Sequence, residues 1–271
     1  MTAGRRAPRA PKPAGPKPKR RAAAVTGSPN RRRAAAEGAP VPVAASERAR
    51  GRRILARLER AYPDWGPTLE FADPLQLLVA TILAAQARDE RINEVTRTVV
   101  FPKYRTAADY VAADVAVLER ELRPTGFFRQ KARSVKAAAQ GIVDDFGGVV
   151  PSDMDSLVQL HGVGRKTASI VLGAAFGVPS IAVDRHVART AERLGFTSDS
   201  DPDRIEQDLR RLFAEKDWVK ATWCLVLHGR SVCTPTPRCP ECPVLSLCPY
   251  PKKTKAAPAP AAPRRSKPKP D

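Results

Sequence analysis

Between about residues 46 and 230 the apolar positions recur at spacings of three and four, the period of helices with one face turned inward. No stretch alternates convincingly with the two-residue period of a half-buried strand. Ser46 is placed to cap a first helix through Ile54, Leu55 and Leu58. Asp73-Pro74 opens a second, Leu75 to Gln86, with proline at the first helical position, where its missing N–H costs nothing. Leu75, Leu77, Leu78, Val79, Ile82 and Leu83 make that helix apolar nearly all round, which predicts burial. Further helical periods fall at about 90–101, 106–112, 114–122, 128–145, 153–160, 165–176, 184–194, 202–213 and 216–229. Gly126, Gly147-Gly148, Gly162, Gly164, Gly177 and Gly195 punctuate them. The predicted class is all-α.

The formal charge of +19 over 271 residues puts a polyanion first among partners, and most of that charge is in the two ends of the chain. Residues 1–45 hold eleven Lys/Arg against Glu37, and 251–271 hold seven against Asp271; 46–250 is close to neutral. Both ends are built from Pro, Ala, Lys and Arg, too poor in branched and aromatic residues to offset the entropy of ordering them, and are predicted to be disordered basic tails. Nonspecific attachment to nucleic acid by counterion release is one role for them, a solubilising or targeting extension the other. No apolar run reaches the length of a membrane span, and the N-terminus lacks the apolar core of a secretory signal, so a cytoplasmic, nucleoid-associated protein is expected. The central 205 or so residues suffice for one large domain or two small ones.

Four cysteines, Cys233, Cys239, Cys242 and Cys248, form a C-x5-C-x2-C-x5-C run within sixteen residues. The central C-x2-C puts two sulfurs on one tight turn and the arms bring the outer two around the same point, so the run reads as a metal or iron–sulfur site. Zinc held by four thiolates is the competing reading, although zinc ribbons usually present two C-x2-C pairs. Disulfides fit poorly with an intracellular chain. The fifth cysteine, Cys224, lies in an apolar stretch and reads as core.

The segment Leu160-His161-Gly162-Val163-Gly164-Arg165-Lys166-Thr167-Ala168 is a Gly-x-Gly turn between a short helix and a longer one. Its glycines allow close backbone approach, and the amides opening the second helix are ready anion donors, so a phosphate fits there; a plain tight turn is the alternative. Lys166 favours the functional reading, because a cation in the first turn opposes the helix dipole. Eighteen residues later, in Ile181-Ala182-Val183-Asp184-Arg185-His186, Asp184 can cap the next helix, a role compatible with a second one.

The hairpin Leu-x-Gly-Val-Gly-Arg-Lys-Thr-Ala, then Val-Asp-x-His, then four cysteines, all in this order, is similar to the endonuclease III family of helix-hairpin-helix DNA glycosylases, over about residues 46–250. The resemblance implies two helical domains flanking a cleft. A six-helix domain at 67–178 carries the hairpin; residues 46–66 and 179–250 form the second domain, closed by a 4Fe-4S cluster on the four cysteines. It implies a bifunctional glycosylase and abasic-site lyase of base excision repair that acts as a monomer on double-stranded DNA containing a damaged base, most suitably an oxidised pyrimidine. Lys166 becomes the amine that attacks the anomeric carbon of a flipped nucleotide and Asp184 the carboxylate that assists it. Gln86 fills the gap left by the flipped base, the alternative being a polar end to an apolar helix; Phe127 occupies the position of an often aliphatic intercalating wedge, the alternative being a core residue; and Gly162, Val163, Gly164 and His186 contact DNA.

A lysine near its free pKa is protonated, and bringing it within reach of neutrality takes roughly three units, about 4 kcal/mol; the helix end supplies at most about 2 kcal/mol and an ionised Asp184 pulls the other way, so desolvation in the cleft must supply the rest. The chain departs from the family pattern at His161, where proline is usual, in a first cysteine arm of five residues rather than six, and in its tails. Two other readings compete: a metal-stabilised DNA-binding protein without catalysis, and a monofunctional mismatch glycosylase, against which the hairpin lysine argues.

Overall fold

The computed structural model describes residues 43–255, and among them there are helices, turns and no strand. The tails expected at 1–45 and 251–271 lie outside the described residues, apart from 43–45 and 251–255. The helices are α1 (Ala45–Ala61), α2 (Pro74–Leu83), α3 (Asp89–Val95), α4 (Phe101–Lys103), α5 (Ala107–Ala112), α6 (Val115–Leu122), α7 (Phe128–Phe146), α8 (Met154–Leu157), α9 (Arg165–Ala175), α10 (Arg185–Arg193), α11 (Pro202–Leu212) and α12 (Trp218–Ser231).

Carboxylate caps start many of them. Asp73, Asp114, Asp153, Asp184 and Asp201 each accept a first-turn amide of the helix that follows, at α2, α6, α8, α10 and α11. The expected cap at Ser46 is corrected. Helix α1 begins two residues earlier, with Ala44 at the cap position and no side-chain bond there. The second helix also ends sooner than the apolar pattern suggested, at Leu83, because Gln86 adopts a left-handed backbone (φ 54°) that no helix can contain. The predicted 90–101 helix changes to π geometry over Thr96–Val100. Pro102 has no N–H to continue the ladder, and Thr96 and Thr98 hydroxyls donate to carbonyls a turn back, so the wider turn absorbs the mismatch. The short helix predicted at 153–160 contracts to α8, and tighter turns carry the chain through Leu160 into the hairpin.

Two hydrophobic cores result. The first gathers α2, α3, α5–α9 and the π segment around Leu77, Leu78, Leu83, Ile92, Tyr110, Leu118 and Leu122. The second gathers α1 and α10–α12 around Ile54, Leu58, Val187, Leu209, Cys224 and Leu225, with Val244 reaching in from the cysteine loop. Several contacts join the lobes, among them three at separate points. Arg165 at the start of α9 makes a bidentate pair with the buried Glu206 of α11 (2.6 and 2.8 Å). Arg230 of α12 bonds Asp89 of α3 (2.7 Å). Gly173 of α9 lies so close to Val219 of α12 that a Cβ there would come within 3.0 Å of it.

Candidate active site in the interlobe cleft

A cavity of about 950 Å³ opens between the lobes, large enough for a nucleotide. Thr68, Gln86, Arg88, Lys166 and Ile170 line it from the first lobe, and Asp184, Arg185, His186, Trp223 and Arg230 from the second. Lys166 and Asp184, eighteen residues apart on different helices, thus face one space.

Local structure fixes each. Val163 is buried in the first core and pins the hairpin, while Gly162 turns it with φ 77°, where a Cβ would stand 3.1 Å from that of Ser134. Gly164 has an ordinary φ of −88° and nothing within 4 Å of a Cβ, so its place in the motif reflects open space above the start of α9. No side chain caps α9, which leaves its first amides facing outward, with Lys166 in the first turn and exposed. At Asp184, Oδ1 accepts both the His186 and Val187 amides at 2.8 Å. Oδ2 has no hydrogen bond to any described residue and is left to the cleft.

His186 is half-buried on the same wall. Burial holds its imidazole below the usual histidine range, and Arg189 and Arg185 add to this against the opposing pull of Asp184. Arg185 Nε approaches its Nε2 (3.3 Å), and Arg189 Nη2 its Nδ1 (3.2 Å). A neutral ring accepts at only one of those nitrogens.

Gln86 lines the cleft from its left-handed turn. The remaining predicted contacts are elsewhere. Phe127 lies outside the cavity wall, 64 % exposed, with a left-handed backbone (φ 47°) at the cap position of α7. Gly162, Val163 and Gly164 also lie off the wall, on the hairpin. Sequence reasoning gave no role to Thr68, Arg88, Asp89, Trp223 or Arg230, nor to Arg185, the unspecified position of the Val-Asp-x-His motif. Arg88 and Arg185 do flank predicted site residues, a weak signal that was available.

The four cysteines are brought together around a separate small cavity with Leu194, Val232, Leu245 and Tyr250. Burial pushes the Cys242 thiol up to about 11, with Cys248, Cys233 and Cys239 adding to it, and raises Cys248 as well. Arg193 donates to Cys233 Sγ (3.6 Å) and to the Thr234 and Pro235 carbonyls, holding the loop. Among the described residues no group of three or more His, Cys, Asp or Glu side chains is disposed to hold a metal ion as it stands. The donor set itself, four thiols on a largely apolar wall, suits a soft thiophilic metal centre, whose positive charge would offset the cost of four clustered thiolates. Cys224 is fully buried in the second core, its thiol pushed up to about 12, as a core residue should be.

An all-helical fold with a hairpin lysine and a capping aspartate across one cleft defines a class. Residues 79–215 match the HhH-GPD superfamily of base excision DNA repair proteins. The chain is 44 % identical over 207 residues to endonuclease III of Synechocystis sp., covering 76 % of this chain and 94 % of that protein. It is 41 % identical over 196 residues to endonuclease III of Bacillus subtilis, covering 72 % and 89 %. A solved structure, "Structure of a Trapped Endonuclease III-DNA Covalent Intermediate: Estranged-Adenine Complex", superposes with a TM-score of 0.71 at 38 % identity, covering 75 % of this chain and 96 % of that one. The chain belongs to the endonuclease III family. It is a DNA glycosylase and abasic-site lyase of base excision repair.

Proposed function

We propose that Lys166 is the nucleophile and Asp184 its carboxylate partner, acting on oxidised pyrimidines in double-stranded DNA. The observation that carries this reading is that amine and carboxylate share one nucleotide-sized cavity while Asp184 Oδ2 is spared by the helix cap. The damaged nucleotide leaves the stack and enters the cleft, since its anomeric carbon is out of reach inside the duplex. Lys166 Nζ bonds to C1′ as the C1′–N bond to the base breaks, and the base departs with a proton. The sugar ring opens to a Schiff base on Nζ. Loss of a C2′ proton then expels the 3′ phosphate by breaking C3′–O. Asp184 Oδ2 accepts a proton from the amine and stabilises the positive charge that develops on the sugar. Because Lys166 is exposed in the free protein, the desolvation it requires comes from DNA filling the cleft.

Gln86, held out on its strained turn, fills the vacated place and can both donate to and accept from the orphaned base. Phe127, an exposed aromatic on a second left-handed residue, is the wedge. The amides at Gly162, Val163 and Gly164 take a backbone phosphate, and His186 adds a contact at the cleft wall. The protein works as a monomer. Cys233, Cys239, Cys242 and Cys248 hold a 4Fe-4S cluster, zinc being the runner-up. When bound, the cluster would cross-link the four cysteines and so close the loop that carries Val244 into the second core.

Borohydride reduction in the presence of abasic-site DNA tests the assignment. Wild type is captured covalently and Lys166→Ala is not, although it still binds the DNA. Asp184→Asn preserves the cap and is captured at a rate about 10²-fold or more slower. Capture by Lys166→Ala would remove the lysine from its role.

A further inference from the structure

A second cavity of about 730 Å³ adjoins the cleft, and the two share Ala87, Arg88, Asp89, Arg185, His186 and Arg230. Of the arginines in this second groove, Arg91 is paired with Glu94 and Arg230 with Asp89. The Arg88 side chain makes no hydrogen bond or ion pair with any described residue, and that of Arg185 has only the long Nε contact with His186, which leaves both its terminal nitrogens free. Both side chains are exposed. Arg88 stands at the cap position of α3 and Arg185 is the first residue of α10. The two come from opposite lobes and meet only at the rim that the cavities share.

We propose that Arg88 and Arg185 form a two-sided clamp on one phosphodiester of the damaged strand, the phosphate joined to the sugar lodged in the cleft. This rests on the reading of the cleft as the seat of the flipped nucleotide, since a sugar at Lys166 sends its flanking backbone out across that rim. A guanidinium presents paired N–H donors that match two phosphate oxygens. Glu90 also lines the groove and limits its net charge, which suits a monoanionic diester better than a polyphosphate. The clamp closes the mouth electrostatically from both sides, so it engages only DNA whose nucleotide has entered.

The test uses the full chain and duplexes carrying one uncleavable abasic analogue, with the phosphate on its 5′ or its 3′ side either native or replaced by an uncharged methylphosphonate. Wild type and Arg88→Ala/Arg185→Ala are titrated between about 50 and 200 mM salt. The double variant should melt like wild type, bind about tenfold more weakly, and give a log K against log salt slope shallower by about 0.9, one phosphate fewer. A methylphosphonate at one of the two positions should weaken wild type about tenfold and the double variant no further. Equal salt slopes, or a methylphosphonate penalty that persists undiminished in the variant, would overturn the clamp. Borohydride capture of wild type is run alongside. Capture with unchanged slopes defeats the clamp and leaves the active site standing. Absent capture with the slope change defeats the lysine chemistry and leaves the clamp. A wild type that does not bind the duplex defeats both.

Discussion

Lys131 illustrates how much one side chain can hold in place. It is 4 % exposed, and its Nζ donates to the Thr125 carbonyl at 2.7 Å, while the Thr125 hydroxyl donates to Leu122 O. These bonds anchor the turn from which Phe127 projects. Burial holds the Lys131 ammonium below the usual lysine range. The folded chain therefore releases this proton at a lower pH than the unfolded chain does. Between those two values the unfolded state binds more protons, and stability rises with pH. Lys131→Met should remove that rise. In denaturant titrations the wild type should gain on the variant as pH climbs toward 10.5, by at most about 1.4 kcal/mol per pH unit. A difference that stays flat over that range would mean the ammonium is hydrated in the folded chain. Residue identities at the site were legible in the sequence because family spacing indicates them. The left-handed backbone at Gln86 and Phe127 was not, since neither side chain favours that region and only tertiary packing enforces it.

At the level of elements, the crossing of α10 over α12 is the tightest helix contact near the chemistry. A Cβ on Gly229 would stand 2.8 Å from Thr190 Oγ1, 2.9 Å from His186 Cβ and 3.1 Å from the His186 carbonyl oxygen. The last of these is backbone and cannot rotate aside. Gly229→Ala should therefore cost about 1–3 kcal/mol and displace the N-terminus of α10 that presents Asp184, lowering both melting temperature and capture rate. Gly51→Ala is the control. Its new methyl meets only the Leu212 side chain, at 3.1–3.3 Å, which can shift, and the loss should be smaller. A Gly229→Ala protein as stable as Gly51→Ala would contradict the close crossing. Helix positions were readable from apolar period and from Asp73 and Asp184 as caps, because these are local signals. The early end of α2 and the π segment were not, since each depends on a backbone state that periodicity does not encode.

On the scale of the whole molecule, the second core relies on a loop with little apolar content of its own, with Val244 as its fully buried contribution. If the proposed cluster occupies that loop, purified protein carries four irons per chain and absorbs broadly in the visible. Cys239→Ser should then lose the absorbance, melt at lower temperature and weaken with it the α10 side of the cleft. One zinc in a colourless protein would overturn the iron assignment. The all-α class and the grouping of lysine and carboxylate were accessible from sequence through motif order. Arg88 and Arg185 were not, because their importance comes from two chain segments, about a hundred positions apart, meeting at one rim.

The three ties between the lobes have a mechanical consequence. Arg165 on Glu206, Arg230 on Asp89 and the close seat of Gly173 on Val219 brace the halves at separate points, so parting them further would break all three. The strain of recognition falls on the double helix, which must bend and surrender a nucleotide to fit, and sequences or lesions that soften the duplex are admitted at the lowest cost.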